Sequence, residues 1–226
     1  MNTLSARLKT VFDLIESGAC VADIGTDHAF LPIALIKSGK AKRVIACDIR
    51  EKPLENARKN LERTNVASVE LRLSDGLQNV KANEVDTVVI AGMGGEVISG
   101  IMQRCDFIKN DAYSLILQPM TAADSLRKFL IQNGFEIKRE IAVDDNSKLY
   151  TVILAQFCGK TEPCSDAFYI HGKLDPKKET DLLYLKKQQR ILKKCIDDLK
   201  GNEQQKDFYL KTKELLNELT RYIEVN

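Results

Sequence analysis

The fold of this 226-residue chain is decided by residues 21–32, VADIGTDHAFLP, in which a short apolar run meets a glycine and then a second apolar run. Residues 21–24 predict a buried strand, Gly25 permits a sharp turn, and residues 29–36 predict the helix that follows. In open α/β sheets, ligands bind where such a strand gives way to its helix. This stretch therefore predicts a nucleotide-like cofactor at the junction.

The same stretch also bears on the kind of cofactor. The dinucleotide fingerprint G-x-G-x-x-G leaves a bare helix N-terminus for a pyrophosphate, but Asp27 and Phe30 occupy the positions of its second and third glycines. A carboxylate at Asp27 would repel phosphate and would suit a cation. S-adenosylmethionine carries sulfonium and ammonium groups and is the candidate favoured here. Because D-x-G alone is common in α/β proteins, the identity of the cofactor must be judged from the neighbouring motifs.

Strand-like and helical runs alternate along the chain as far as residue 132. The predicted strands are 19–24, 43–48, 68–73, 85–90 and 113–117, and the predicted helices are 4–16, 29–36, 52–63, 94–103 and 121–132. Such alternation predicts an α/β fold with a doubly wound, mostly parallel, Rossmann-like sheet.

Two further strand-like runs close this part of the chain. Residues 135–143 and 148–157 are joined by the turn-rich residues 144–147, Asp-Asp-Asn-Ser, which predicts a β-hairpin. A terminal antiparallel hairpin after five parallel strands is typical of class I methyltransferases that use S-adenosylmethionine. A dinucleotide dehydrogenase would usually continue with a parallel strand.

The helical pattern beyond the hairpin predicts a second, smaller domain. We place the Rossmann-like domain at residues 1–159 and a helical, coiled-coil-like hairpin at residues 160–226, with its turn at Gly201 and Asn202. Two apolar seams would pack in this hairpin: Leu182, Leu185, Leu192, Ile196 and Leu199 in one helix, and Phe208, Leu215, Leu219 and Tyr222 in the other.

Composition narrows the classes of function. The chain is 44% hydrophobic and 29% charged, and no apolar run approaches the roughly 20 residues that span a bilayer, so a cytoplasmic protein is expected. Its six cysteines lack Cys-x-x-Cys spacing and only two histidines accompany them, so neither a disulfide framework nor a metal site is expected. With a net charge of +2, any nucleic-acid surface must be local. The oligomeric state stays open, and a monomer is compatible with these features.

Acidic residues follow the second and third predicted strands. Asp48 comes 25 positions after Asp23, where a carboxylate can accept hydrogen bonds from both hydroxyls of a ribose. Asp75, followed by Gly76, lies where a carboxylate can accept from the exocyclic amine of an adenine. A solvated strand-end aspartate and an ordinary Asp-Gly turn are the alternatives. The place of both residues in the strand series favours cofactor binding.

Residues 91–98, AGMGGEVI, follow the fourth predicted strand and contain Gly92, Gly94 and Gly95. Glycines permit close approach of a ligand to bare backbone N–H groups. Rossmann-like methyltransferases hold the acceptor atom of their substrate at this place, although a flexible strand-to-helix turn is the alternative. The Asn/Asp-Pro-Pro-aromatic sequence of many DNA amino-methyltransferases does not occur here, which favours a different acceptor nitrogen.

Asp27 and His28 follow the glycine turn. The Asp27 carboxylate could face the cationic end of the cofactor, or it could face the substrate and stabilise positive charge that develops on an attacking ring nitrogen. His28 has no Ser or Cys partner in sequence for triad chemistry, and a structural histidine is an equal alternative. We therefore do not assign His28 as a base.

These motifs resemble one family, the bacterial tRNA (adenine-22-N1)-methyltransferases. The similarity covers about 150 residues and runs through LSARLKTVFDLI, VADIGTDHAFLP, Asp48, SDGL, IAGMGGEVI, LILQP and KLYTVILAQF, followed by a helical tail of the expected length. GTDHAFLP together with AGMGG is the specific part. Met120 departs from the family, in which asparagine usually follows Gln-Pro, so no substrate role is assigned to it.

The resemblance implies transfer of a methyl group from S-adenosylmethionine to N1 of adenine 22 in tRNA, with Asp27 as the residue important for transfer. Cofactor contacts are expected at Asp23, Gly25, His28, Asp48, Ile49, Asp75, Gly76, Ala91, Gly92 and Met93. Contacts with tRNA are expected at Gly94, Gly95, Gln118 and Pro119 and, in the tail, at Lys186, Lys187, Arg190, Lys193 and Lys194.

The basic run KKQQRILKK in the tail contains no acidic residue. On the sequence alone, a solvated helix face is the favoured explanation of this run, and only the resemblance favours contact with the tRNA backbone. Two other functions stay open: a methyltransferase of the same fold that acts on a small molecule or protein, and a catalytically inactive RNA-binding adaptor.

Overall fold

The computed structural model describes residues 4–161 and 164–225. Its helices are α1 (Ala6–Leu14), α2 (Phe30–Lys37), α3 (Glu51–Thr64), α4 (Gly95–Gln103), α5 (Ala123–Gln132), α6 (Asp166–His171), α7 (Glu179–Leu199) and α8 (Lys206–Val225). Its strands are β1 (Ala19–Ile24), β2 (Ala41–Asp48), β3 (Val69–Leu73), β4 (Thr87–Gly94), β5 (Ser114–Thr121), β6 (Phe135–Asp145) and β7 (Lys148–Phe157).

The strands form one seven-stranded sheet with the order β3-β2-β1-β4-β5-β7-β6. The pairs from β3 to β5 are parallel, and β7 lies antiparallel between β5 and β6. This arrangement confirms the doubly wound sheet with a terminal hairpin. Strand order reverses between β1 and β4, and the crevice at such a switch point is where open α/β sheets bind ligands.

Both faces of the sheet are covered by helices. Ala22 and Ile24 face a cluster that includes buried side chains of α4 and α5, whereas Val21 faces a cluster shared with α1 and α2. A strand that is buried on both faces reads as a continuous apolar run without alternation. This burial explains why residues 21–24 could be identified as a central strand.

The hairpin turn is formed by Asn146 and Ser147, which have φ values of 56° and 62°. Positive φ at both central residues is the geometry of a type I′ turn, whose twist matches that of the flanking strands. Pairing therefore continues to Asp145 opposite Lys148, two residues beyond the predicted end of the first hairpin strand.

The prediction that β4 ends before the glycine motif is wrong. The strand continues to Gly94 and stays paired with β5, with Met93 opposite Pro119 and Gly94 opposite Thr121. Register irregularities flank Met93, and glycine accommodates the local twist that such irregularities impose. For the same reason β5 extends to Thr121, past the predicted end at residue 117.

The tail is helical, as predicted, but it contains a short helix, α6, that the sequence pattern missed. The helices α7 and α8 pack against each other, with Leu199 and Leu219 buried. Placing Phe208 in the apolar seam is wrong, since this side chain is 54% exposed, and Thr212 is buried instead. Within the described ranges, no helix is long and apolar enough to cross a membrane.

The tail packs against the hairpin through a cluster of five buried residues, Ala142, Leu174, Tyr184, Leu185 and Leu219. The buried carboxylate of Asp181 adds polar contacts, because it accepts hydrogen bonds from the backbone N–H groups of Ala142 and Asp175 at 2.8 and 3.0 Å. A carboxylate that caps backbone donors in this way fixes the start of α7 against β6.

Candidate functional site

A cavity of about 490 Å³ lies at the carboxyl ends of β1, β2 and β3, beside the switch point. Its lining comprises Ile24, Gly25, Asp48, Ile49, Arg50, Ser74, Asp75, Gly76, Met93, Glu96, Val97, Gly100, Ile101 and Arg104. Pockets of this size are usual for cofactors.

Asp48, the last residue of β2, points into this cavity from a buried position. Its Oδ1 accepts a hydrogen bond from the backbone N–H of Arg50 at 3.0 Å, which fixes the orientation of the carboxylate. A carboxylate offers about four lone-pair sites, so capacity remains for two hydroxyl donors. This geometry fits the predicted role of holding a ribose.

Asp75 also lines the cavity, but its carboxylate is not isolated. Its Oδ1 accepts a hydrogen bond from Nη2 of Arg104 at 3.0 Å, and both side chains are about half exposed. The next residue, Gly76, has φ +58°, and a Cβ there would lie 2.7 Å from a methyl carbon of Ile101. A glycine at position 76 is therefore favoured by its positive φ and by the close approach of α4.

Two apolar side chains flank the cavity in exposed positions. Ile49 is 62% exposed and Val97 is 55% exposed. Such side chains gain free energy when a ligand covers them, because apolar surface is removed from water. Both side chains therefore offer apolar surface to a ligand in the cavity.

The loop between β1 and α2 has an unusual backbone. Gly25 has φ +78°, a conformation that residues with a side chain rarely adopt, so the backbone favours glycine here. A Cβ at this position would also lie 2.3 Å from Cε of Met93, the flexible end of that side chain. Asp27 and Ala29 also have positive φ values, 48° and 55°. Left-handed conformations at residues other than glycine are strained and concentrate at functional sites. Three positive φ values within five residues, at Gly25, Asp27 and Ala29, set this loop apart from the other turns of the sheet.

Neither Asp27 nor His28 lines the cavity itself. The Asp27 carboxylate is 63% exposed and lies 3.5 Å from Nε2 of His28. The ring of His28 stacks on that of Phe30, with the ring centres 5.2 Å apart, and its backbone carbonyl accepts a hydrogen bond from Asn60. These contacts hold His28 within the loop, while the Asp27 carboxylate stays largely exposed.

Asp23 lies at the end of β1 and is buried. Burial, with a further contribution from the negative charge of Asp48, raises the pKa of the Asp23 carboxyl from 3.8 to about 6. Ionisation of the Asp23 carboxyl therefore reduces the free energy of unfolding. Strongly shifted carboxyls beside a cavity are a feature of functional sites.

We expect Asp23→Asn to stabilise the protein at pH 8. Because the folded pKa lies above 3.8, the ionised carboxylate destabilises the fold above pH 6, and this penalty disappears as the pH falls towards 4. The free energy of unfolding should rise by up to about 3 kcal/mol at pH 8 and change little near pH 4. Urea unfolding at both pH values measures this; a variant less stable than wild type at pH 8 would contradict it.

A second polar cluster lies where β4 and β5 end. The side chain of Gln118 is fully buried, and its Oε1 accepts hydrogen bonds from the backbone N–H of Gly92 at 3.1 Å and from Nη1 of Arg7 at 3.0 Å. The same arginine pairs through Nε with Asp145 at 3.1 Å. Arg7 thereby ties α1 to the glycine motif and to the hairpin turn.

The residues predicted to touch tRNA in this region lie at different depths. Gly95 is buried, and a Cβ there would lie 2.2 Å from the backbone oxygen of Ala122, so its role is close packing of α4. Gln118 is buried beneath Arg7. Gly94, in contrast, is half-buried beside Thr121, and Pro119 lines a second cavity.

The tail residues predicted to contact tRNA do not form one surface. Lys186, Arg190, Lys193 and Lys194 are exposed on α7. Lys187 is half-buried, and its Nζ donates a hydrogen bond to the backbone oxygen of Leu149 at 3.1 Å. Lys187 therefore faces the hairpin and does not share the exposed surface of the other four residues.

Six of the ten residues expected to contact the cofactor line the first cavity: Gly25, Asp48, Ile49, Asp75, Gly76 and Met93. Asp23 lies buried at the end of β1, and His28, Ala91 and Gly92 lie outside the lining. The sequence reading missed the side of α4 that carries Glu96, Val97, Gly100, Ile101 and Arg104. Their helical spacing after the glycine motif was the available signal.

No metal centre accompanies these carboxylates in the described ranges. Among residues 4–161 and 164–225, no group of three or more His, Cys, Asp or Glu side chains is placed to hold a metal ion.

Comparison with known proteins places the chain in a family. A family model described as a methyltransferase domain matches residues 4–153. The tRNA (adenine(22)-N(1))-methyltransferase of Bacillus subtilis is 36% identical over 154 residues, which span 68% of this chain and 65% of that relative. The chain thus spans slightly less than two thirds of the length of that relative.

Solved structures agree over the full length. The crystal structure of the B. subtilis m1A22 tRNA methyltransferase TrmK superposes with a TM-score of 0.87 at 27% identity, covering 99% of this chain and 100% of that one. The M. capricolum TrmK, solved in complex with S-adenosylhomocysteine, gives 0.82 at 29% identity and covers 98% of each chain. The resemblance read from the sequence is confirmed, and the chain belongs to the methyltransferase domain family.

Proposed function

We propose that this protein transfers a methyl group from S-adenosylmethionine to N1 of adenine 22 in tRNA. The observation that carries the proposal is the cavity at the switch point, in which Asp48 stands at the end of β2 beside the glycine turn at Gly25. The B. subtilis relative supports the substrate, since both its sequence and its solved structure are named as a tRNA methyltransferase specific for that adenine.

The residues of the cavity fit this cofactor. Asp48 would accept hydrogen bonds from the ribose hydroxyls, and Ile49 and Val97 would offer apolar surface to the adenine ring. Asp75 would accept a hydrogen bond from the exocyclic amine while it keeps its bond to Arg104. When bound, S-adenosylmethionine supplies an electrophilic methyl group on a sulfonium.

Asp27 acts on the substrate side of the reaction. The N1 lone pair of adenine is free, so attack needs alignment and no strong general base. Methylation leaves positive charge on the ring, and the exposed Asp27 carboxylate stabilises that charge as it develops. Because N1 lies on the pairing edge, the adenine must be unpaired when it reacts.

In this proposal, residues 1–159 carry out catalysis and residues 160–226 bind tRNA, with the protein in the cytoplasm. The exposed cations Lys186, Arg190, Lys193 and Lys194 on α7 would neutralise phosphates without reading sequence.

Changing these four residues to glutamate should weaken tRNA binding by tenfold or more, because contacts with phosphates are lost. The dependence on salt should also become shallower: each lost contact reduces the magnitude of the slope of log affinity against log salt by about 0.7–0.9. Titrations of labelled tRNA at several salt concentrations measure both quantities. Binding of S-adenosylhomocysteine serves as the control and should not change. Unaltered tRNA affinity would show that these four residues form an ordinary solvated surface with no part in tRNA binding.

The experiment that tests the proposed function is transfer of a labelled methyl group to total tRNA, followed by mapping of the modified nucleoside. The proposal predicts 1-methyladenosine at position 22. Label in protein or in a small molecule would favour the other methyltransferase function. Binding of tRNA without any transfer would favour the inactive adaptor.

A further inference from the structure

A second cavity, of about 270 Å³, separates the sheet from the helical tail. We call it the interdomain cleft; it is bounded by Pro119 and Thr121 at the end of β5, by Tyr150 on β7, and by Lys187, Gln188 and Ile191 on α7. It shares no lining residue with the first cavity. A ligand in the cleft would therefore contact both parts of the protein without competing with the cofactor.

The cleft begins next to the acceptor position. Met93, which lines the cofactor cavity, pairs with Pro119, and Gly94 pairs with Thr121, which lines the cleft. Neighbouring strands lie about 4.8 Å apart, so the near end of the cleft is about one strand spacing from β4. A group bound there lies beside the reacting base and outside the position where the methyl group is transferred.

The walls of the cleft combine apolar, aromatic and cationic groups. Ile191 is 51% exposed and Tyr150 is half-buried. Lys187 is held by one hydrogen bond to the oxygen of Leu149, and an ammonium has three donors. Asp124 also lines the cleft, and the buried Arg127 is already paired with Glu140. One flat base against Tyr150 and Ile191, with its phosphate near Lys187, matches this set.

We propose that the interdomain cleft binds the nucleotide next to the target adenine in an unpaired stretch of tRNA. This inference rests on the proposed function and adds a subsite to it. An adenine that presents N1 to the methyl group must leave its stack, and proteins hold such splayed nucleotides by stacking and backbone contacts. Binding the neighbouring nucleotide keeps the target base extended over β4.

The first test introduces a negative charge into the cleft by Ile191→Asp. The side chain is half exposed, so the fold should tolerate it, while a nearby phosphate should be repelled. The KM for tRNA should rise at least tenfold, with unchanged melting temperature and unchanged affinity for S-adenosylhomocysteine. The matched control is Leu210→Asp on α8, which is 53% exposed and outside the cleft, and its KM should stay within twofold of wild type.

The second test locates the bound nucleotide directly. A benzophenone amino acid is placed at Gln188 in one variant and at Leu210 in another, and each is irradiated with tRNA and S-adenosylhomocysteine. The inference predicts crosslinks from position 188 within two nucleotides of the methylated adenine, and none there from position 210.

Two outcomes distinguish failure of the inference about the cleft from failure of the proposed function. Wild-type methylation of tRNA together with an unchanged KM for Ile191→Asp, or with crosslinks from position 188 only at distant nucleotides, overturns the inference alone. Failure of the wild-type protein to methylate any tRNA overturns the inference and the proposed function together.

Discussion

Replacing Asp27 with asparagine is expected to lower kcat for tRNA methylation by about 100-fold or more while binding of S-adenosylhomocysteine is retained. Removal of one preorganised electrostatic group costs about 10²–10³ in kcat. The asparagine side chain keeps the size of the carboxylate and tolerates the left-handed backbone at this position, where φ is 48°. Single-turnover methylation with saturating tRNA measures the loss.

Asp27→Gly provides a matched control for the strained backbone. Glycine adopts φ near +50° without strain, so this variant should be at least as stable as wild type and just as slow in methyl transfer. If the asparagine variant turned over at the wild-type rate, Asp27 would have no part in stabilising the charged product.

Arg127→Met is expected to cause the largest loss of stability, about 3–5 kcal/mol in the free energy of unfolding, because it leaves the buried carboxylate of Glu140 without its partner. The two side chains are 1% and 0% exposed and pair at 2.8 Å. Arg127 also donates hydrogen bonds to the backbone oxygens of Tyr169 and Ile170 at 2.7 and 3.1 Å. The pair therefore joins α5 and β6 to α6, at the start of the tail.

Two further variants test whether the buried charge is the cause. The double variant Arg127→Met with Glu140→Leu removes both charges and should regain much of the lost stability. Arg43→Met breaks the exposed pair between Arg43 and Glu70, in which both side chains are more than 40% exposed, and should cost less than about 1 kcal/mol. Equal losses for the buried and exposed arginines in urea unfolding would refute this account.

The parts of the fold that were predictable depend on local pattern. Residues 21–24 identify β1 because burial on both faces gives three apolar residues out of four, interrupted only by Asp23. Asn146 identifies the hairpin turn because few residues accept positive φ. Asp48 was found in the same way, as the last residue of an apolar strand.

The parts that were missed depend on contacts between distant segments. Arg7 reaches Gln118 across 111 positions of the chain, so nothing near Arg7 in sequence indicates that it supports the glycine motif. β4 extends to Gly94 because β5 lies beside it, and Phe208 lies outside the seam because of how α8 packs on α7. Tertiary pairing overrode local propensity in each case.

The measurement that tests the account most directly is a calorimetric titration of the wild-type protein with S-adenosylhomocysteine, repeated with Asp48→Ala. The account predicts one binding site per chain in wild type and an affinity about 10–100-fold lower in the variant, because hydrogen bonds to a charged group contribute about 1.5–3 kcal/mol. An absence of binding heat in the wild type, or equal affinity in the variant, would contradict the assignment of this cavity.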